Sequence, residues 1–300
     1  MRKILYIVNP ISGTKNKQSL TQTIEAATAA AGFSFGIYPS VANGNYSYLN
    51  DIIIEGTFTD IVIAGGDGTV NQAISGLNKF GLPFGIIPCG SGNGLAFSAG
   101  IPKNPLQALD IIFKGTSRQT DAFLINHQFA CMLCGLGFDA QVAHDFANDK
   151  KRGMMTYIKK IVQNFFVAKT YPFVLQPQHA AEIKLDAYFI SIANSNQFGN
   201  NFTIAPSASL TDGLLDIVIL TQQSKLSILL QTLMQVSGYN KLQQIEMIDD
   251  KASVIYFQTA AIKILNEGFA PFHVDGEPAE SVTALDIQIL PDYFRLIYPA

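Results

Sequence analysis

The chain has 300 residues, 48% of them hydrophobic, and its 20 basic and 23 acidic residues leave a formal net charge of -3. That apolar fraction is enough for two domains of ordinary size and excludes a disordered chain. The charge balance excludes a molecule-wide basic field, so nucleic acid is not an expected partner. Cysteine occurs only as Cys89, Cys131 and Cys134, too few for a disulfide framework or a four-ligand zinc site. The opening MRKILYIVNP breaks at Asn9-Pro10 before a signal-peptide core, and no apolar run reaches the ~18 residues of a spanning helix. A reduced, cytoplasmic chain is expected.

Up to about Arg118 strand and helix patterns alternate. Lys3 to Val8, Phe35 to Pro39, Ile61 to Ala64 and Phe84 to Pro88 read as strands. Lys17 to Ala31, Tyr46 to Glu55, Val70 to Lys79 and Pro105 to Lys114 read as helices. Such alternation predicts an α/β domain over residues 1–120, with a parallel sheet covered by helices and a ligand site at the strands' carboxyl ends.

From Asp121 onward strand signals dominate. AFLINHQFACMLCG, EIKLDAYFISIANS, GLLDIVILT, KASVIYFQ, AIKILN, TALDIQIL and YFRLIYP follow one another, interrupted by helical stretches at Asp149 to Ala168 and, behind a Ser224 N-cap, Lys225 to Val236. Residues 121–300 are expected to form an antiparallel, β-rich, sandwich-like domain whose last strand packs back on the first domain. Cys131 and Cys134 read as buried thiols on opposite faces of one strand.

The strongest motif is Gly65-Gly66-Asp67-Gly68-Thr69, a glycine turn between a buried strand and the helix expected from Val70. A strand, a glycine turn and a helix N-terminus present backbone N–H groups to an anion. A carboxylate beside such a cradle is costly unless a cation intervenes, which points to a phosphate site with Asp67 near magnesium; a merely tight turn is the competing reading. A second loop, with Gly90, Ser91, Gly92, Asn93 and Gly94, ends the next strand, and Asn9 to Asn16 ends the first. The three outline one polyanion site. No Walker sequence is present, and Gly135-Leu136-Gly137-Phe138-Asp139-Ala140 only superficially matches a dinucleotide fingerprint.

In the second half, Asp275 and Glu277 flank Gly276, and Asp212 and Asp216 lie around another Asp-Gly pair. Each reads equally as an ordinary hairpin turn, although Asp212 with nearby carbonyls suits a hard cation. His127, His144, His179 and His273 show no ligand or triad spacing and read as surface or strand histidines.

Taken together, VNPISG, GGDGTVNQAISGL, GIIPCGSGNGLA, GLGFDAQV, NSNQFGNNFTIAPSASLTDGLLDIVIL and HVDGEPAE, in that order, resemble the diacylglycerol kinase and sphingosine kinase catalytic family. The resemblance implies an NAD kinase/diacylglycerol kinase-like α/β domain, a β-rich second domain, and transfer of the ATP γ-phosphate to a lipid hydroxyl. By motif, it implies that Asn9, Ser12, Gly13, Ser40, the Gly65 to Asn71 stretch, Gly90, Ser91 and Asn93 contact ATP. It also implies that Asp275 and Glu277 are the candidates for the base, with Asp121 and Asp67 completing an acidic network, and that Asp212 with carbonyls of Ser209 and Leu214 holds a structural magnesium. The acceptor stays open between a diacylglycerol-like lipid and a sphingoid base: Gly94 is nearer the sphingosine kinases, whereas the place of their amine-binding acid falls near Ala143, flanked by Asp139 and Asp145.

A lipid acceptor implies transient membrane contact. Within Asp149 to Ala168, Met154, Ile158, Ile161 and Phe165 share a helical face beside Lys150, Lys151 and Arg152, a pattern that suits an anionic surface and equally a helix covering a core. Two other readings stand beside the lipid kinase: an NAD kinase-like phosphotransferase and a silent nucleotide- or lipid-binding module.

Overall fold

The computed structural model describes all residues except 1, 11–16, 148, 150–159, 161–162, 165–167, 200–201, 204 and 222–253. The expected helix at Lys225 to Val236, and Met154, Ile158, Ile161, Phe165, Lys150, Lys151 and Arg152 of the amphipathic stretch, lie outside the described residues. The chain divides into two compact units, one of Met1–Thr120 with Asp292–Ala300 and one of Asp121–Pro291. Among the described residues no helix is long and apolar enough to cross a membrane.

The first unit alternates strand and helix. Its elements are β1 (Lys3–Val8), α1 (Lys17–Ala30), β2 (Ser34–Pro39), α2 (Asn50–Gly56), β3 (Asp60–Gly65), α3 (Asp67–Leu77), β4 (Phe84–Pro88), α4 (Gly94–Ser98) and α5 (Pro105–Lys114). The strands lie parallel in the order β2, β1, β3, β4. Every residue of β3 is buried, as its unbroken apolar run requires in a sheet covered on both faces. Register aligns the carboxyl ends: Val8 lies opposite both Pro39 and Ala64, and Gly65 opposite Pro88. Asn104 caps α5 by accepting the N–H groups of Leu106 and Gln107, with Pro105 at the first helical position. At its other end the Arg2 guanidinium donates to the carbonyls of Ile112 and Phe113 and pairs with Asp60, tying helix to sheet.

The second unit comprises β5 (Thr116–Ile125, from Asp121 on), β6 (Gln128–Ala130), β7 (Leu133–Gly137), α6 (Phe138–Ala147), β8 (Tyr171–Pro177), β9 (Ile183–Ala193), β10 (Gln197–Gly199), β11 (Phe202–Thr203), β12 (Leu215–Thr221), β13 (Val254–Thr259), β14 (Ala261–Leu265), β15 (Phe272–Val274), β16 (Glu277–Ala279) and the first part of β17 (Ala284–Tyr298). Its pairings are antiparallel, and β9 organises them by pairing with β7, β8 and β12. One apolar cluster, including Phe123, Leu136, Phe173, Ile190, Ile217 and Ile287, fills its interior. The α/β unit with a parallel sheet and the antiparallel β-rich unit match the fold class expected from the sequence.

Several boundaries differ from expectation. The apolar stretch AFLINHQFACMLCG is three strands: Asn126 and His127 both take positive φ in a two-residue hairpin, and the chain breaks again at Cys131 and Met132. The two last strand signals are instead one strand, β17, which runs through Pro291 and Asp292. Proline is tolerated where the ladder needs no N–H. The stretch beginning at Phe138 is a helix, α6, whereas the glycines before it allow close strand packing: a Cβ on Gly137 would lie 3.2 Å from Phe189 Cα.

Candidate functional site

The GGDGT segment needs less turn than its glycines suggest. Gly65 closes β3, Gly66 is the extended N-cap, and α3 begins at Asp67, so Gly68 lies in the first helical turn rather than in a loop. Gly66 offers no side-chain cap, so the first N–H groups of α3 form a positive helix terminus at the carboxyl edge of the sheet. The need for bare backbone lies elsewhere. A Cβ on Gly66 would stand 3.0 Å from Gly90 Cα, and one on Gly90 would stand 2.6 Å from Gly66 Cα. The two loops therefore pack backbone on backbone.

Side chains then lock that contact. Asn93, with φ of 63°, accepts the Gly90 N–H at 2.7 Å and donates to its carbonyl at 2.9 Å. The Asp67 carboxylate accepts the Asn93 N–H at 2.7 Å. Asn9 donates to Thr69 Oγ1 at 2.7 Å, and Ser40 N–H bonds the carbonyl of Val8 at 3.0 Å. Half-buried Asn71 and Ser91 sit on α3 and on the second loop. The structure thus gathers Asn9, Ser40, Gly65 to Asn71, Gly90, Ser91 and Asn93 at one sheet edge of the first unit, with Ser12 and Gly13 outside the described residues. Asn93 shapes the loop with its amide, and one Asp67 oxygen faces the second loop.

In the second unit, Asp275 and Gly276 take φ of 49° and 81° in the turn between β15 and β16, the two-residue hairpin geometry of an Asp-Gly pair. Asp275 is buried. Its Oδ1 accepts the N–H groups of Met132 and Leu133, each at 3.0 Å, and its Oδ2 accepts the Cys131 N–H at 3.0 Å and the Cys131 thiol at 3.6 Å. This cradle engages both oxygens of the carboxylate. The same cradle explains the strand break, because the N–H groups of Cys131 to Leu133 turn toward Asp275. Asn194 holds the segment from its other side, donating to the carbonyls of Cys131 at 3.0 Å and Asp121 at 2.9 Å. Glu277, on the same turn, is exposed.

His273 lies on a strand, β15. His273 is fully buried, its Nδ1 receives the Gly276 N–H at 3.3 Å, and its Nε2 faces Asp139 at 3.4 Å. No spacing rule links residues so far apart in sequence. Cys134 lies near both carboxylates; burial, then the charges of Asp275 and Asp139, push its thiol well above the ordinary range. Asp145 accepts from Gln141 and Asn164, so the flanking acids near Ala143 are each engaged by neighbours. From the amphipathic stretch, Lys160 pairs with Asp149 at 3.2 Å.

The expected magnesium turn is a second acidic cluster. Asp121 accepts the Gly213 N–H at 2.7 Å, Asp212 accepts the Leu214 N–H at 3.1 Å, and Ser209 Oγ accepts the Thr211 N–H at 3.3 Å. Burial raises the Asp212 carboxyl, a bond from Leu214 opposes this, and the Asp121 charge raises it further. Next to them, buried Asp216 is pushed up to about 6 by burial, offset by Tyr256 and Gln258. No group of three or more His, Cys, Asp or Glu side chains suited to a metal occurs among the described residues. The charge of Asp121 acts on Asp212, so two carboxylates lie near one another at this turn.

Residues 3–125 match the diacylglycerol kinase catalytic domain, and residues 133–298 match the YegS C-terminal NAD kinase beta sandwich-like domain. The chain belongs to this lipid-kinase family. Within it, the protein named diacylglycerol kinase in Bacillus subtilis is 25% identical over 286 residues, 92% of this chain and 90% of its own. The one so named in Mycobacterium tuberculosis H37Rv is 29% identical over 231 residues, 73% of this chain and 74% of its own. An uncharacterized Synechocystis protein is 28% identical over 242 residues, 80% of this chain, and the match spans 54% of that longer protein. A solved Bacillus anthracis diacylglycerol kinase shares the fold, with a TM-score of 0.73 at 20% identity, covering 99% of this chain and 97% of its own.

Proposed function

We propose that the protein is an ATP- and magnesium-dependent lipid kinase that transfers the γ-phosphate to a primary hydroxyl of a diacylglycerol-like or sphingoid-base lipid. The observation that carries the nucleotide half is the backbone contact of Gly66 with Gly90, which sets two strand-end loops beside the N-terminus of α3. Such an edge favours a chain of phosphates through N–H groups and the helix dipole. Family membership supports the lipid half.

Phosphoryl transfer needs positioning and charge neutralisation more than covalent help. The first unit's residues Asn9, Ser40, Gly65 to Asn71, Gly90 and Ser91 bind and orient the phosphates in this reading. Magnesium, where bound, neutralises phosphate charge or braces the Asp212 turn, with Asp212 and the carbonyls of Ser209 and Leu214 as its holders and Asp121 alongside. The turn at Asp275 to Glu277 supplies the proton acceptor. Because both oxygens of Asp275 are engaged by Cys131, Met132 and Leu133 whereas Glu277 is exposed, Glu277 is the carboxylate of that turn assigned to receive the hydroxyl proton, and Asp275 fixes the turn.

The deciding experiment measures transfer of labelled γ-phosphate from ATP with magnesium to diacylglycerol, monoacylglycerol, sphingosine and ceramide in detergent micelles, with NAD as a soluble control. Label on a lipid is the expected result and names the acceptor class. Label on NAD alone replaces the lipid reading with the soluble-acceptor one, and nucleotide binding without transfer to any acceptor supports a silent module. Cytoplasmic residence with transient membrane contact belongs to the same proposal, and flotation with anionic vesicles tests the contact through Lys150, Lys151 and Arg152.

A further inference from the structure

His273 lies on β15, two positions before Asp275, and is fully buried. A buried imidazole needs a partner at each nitrogen, and the partners define its tautomer. Nδ1 receives the Gly276 N–H at 3.3 Å. An amide N–H only donates, so Nδ1 carries the lone pair and the ring hydrogen sits on Nε2. Nε2 faces Asp139 Oδ2 at 3.4 Å, which accepts that hydrogen.

Asp139 is itself fixed. It opens α6, where a carboxylate is favoured by the helix dipole, and its Oδ1 accepts the Ala140 N–H at 2.8 Å. Room for the pair comes from Gly135 on β7, which lies directly opposite His273 in the ladder. A Cβ at Gly135 would collide with the Asp139 carboxylate and stand 2.7 Å from His273 Nε2. Asp139, His273 and Gly276 thus form a hydrogen-bonded line from the start of α6 into the turn. The turn needs such support, since Asp275 has φ of 49°, a conformation that non-glycine residues keep when their surroundings over-determine it.

We infer that His273 is a positioning residue for the proposed phosphotransfer: with Asp139 setting its tautomer, it holds the Gly276 amide and so aims the carboxylates on either side of it. The inference rests on the kinase reading, in which that turn receives the proton. It assigns His273 no contact with substrate.

The test uses the full chain as wild type, His273→Gln and His273→Asn. Asparagine sets an acceptor near the place of Nδ1, whereas glutamine reaches toward Asp139 and withdraws the acceptor from Gly276. Four quantities are measured: ring-nitrogen NMR shifts of His273, hydrogen exchange of the Gly276 amide, Tm, and kcat with KM for ATP. The wild-type spectrum should show an unprotonated Nδ1 and a protonated Nε2. His273→Gln should speed Gly276 exchange and lower kcat by about 10- to 100-fold through misplacement of the turn. KM for ATP should stay within about twofold, the mark of an effect confined to the transition state. His273→Asn should restore most of both quantities.

A hydrogen found on Nδ1, wild-type kcat and exchange in His273→Gln, or equal impairment of both variants at equal Tm would overturn the inference. A wild type that transfers no phosphate removes the kinase reading instead; ring-nitrogen shifts and Gly276 exchange then still decide whether His273 holds the turn. Should a variant fail to fold, the wild-type spectrum alone can refute the tautomer.

Discussion

The glycine edge of the first unit and the acidic turns of the second treat backbone N–H groups in opposite ways. At the edge, Gly66 caps α3 without a side chain, and Gly90 meets it with bare backbone. Around Asp275, three consecutive N–H groups are taken by one buried carboxylate. One region leaves a helix N-terminus without a side-chain cap, whereas the other brings its own carboxylate to the N–H groups.

The sharpest division is between two carboxylates of one turn. Glu277→Gln should lower turnover by about 10²- to 10⁴-fold, the range for a general base, with Tm unchanged because Glu277 is exposed. Asp275→Asn should instead cost about 3 kcal/mol of stability in denaturant titration, since an amide NH2 would face N–H groups that now share a carboxylate. A stable Asp275→Asn enzyme with lost turnover, beside an active Glu277→Gln enzyme, would reverse the assignment.

Gly90→Ala attacks the other region. Its new methyl would lie 2.6 Å from Gly66 Cα, so the loops must part, at about 1–3 kcal/mol of stability. The thermal shift produced by ATP should disappear with it; wild-type binding of ATP by Gly90→Ala would break the link between the backbone contact and the nucleotide. At the Asp212 turn, millimolar magnesium should raise the wild-type Tm and leave Asp212→Asn unmoved, since a ligand that binds only the folded chain stabilises it. Equal shifts in both proteins would place the cation elsewhere.

The smallest effect concerns pH. Asp216 is raised by burial from 3.8 to about 6 in the folded chain, so over that interval the folded state holds a proton that the unfolded state releases. Its contribution to stability is therefore lost as pH rises from 3.8 to about 6 and is constant above that window. Relative to wild type, the Tm of Asp216→Asn should climb through the same interval; a difference independent of pH would deny the shift.

Much of the first unit was legible because its information is local. Buried runs such as Ile61 to Ala64 and the alternating periodicities specify strands and helices within a few residues of each other, and parallel order follows from the crossovers. The grip on Asp275 was not legible, because nothing near it in sequence announces its partners at Cys131 to Leu133. The broken CMLC strand was missed for the same reason.

By itself the sequence determined the two kinds of sheet, the strand ends that carry glycine, and the family motifs in their order. Tertiary structure decided what those glycines and acids do. Gly66 needs no side chain because Gly90 arrives there, Asp275 is gripped by a distant strand, and His273 is turned by Asp139 through space that Gly135 leaves open. Periodicity records which face of an element is buried, but hydrogen-bond partners far apart along the chain are chosen only when the elements pack.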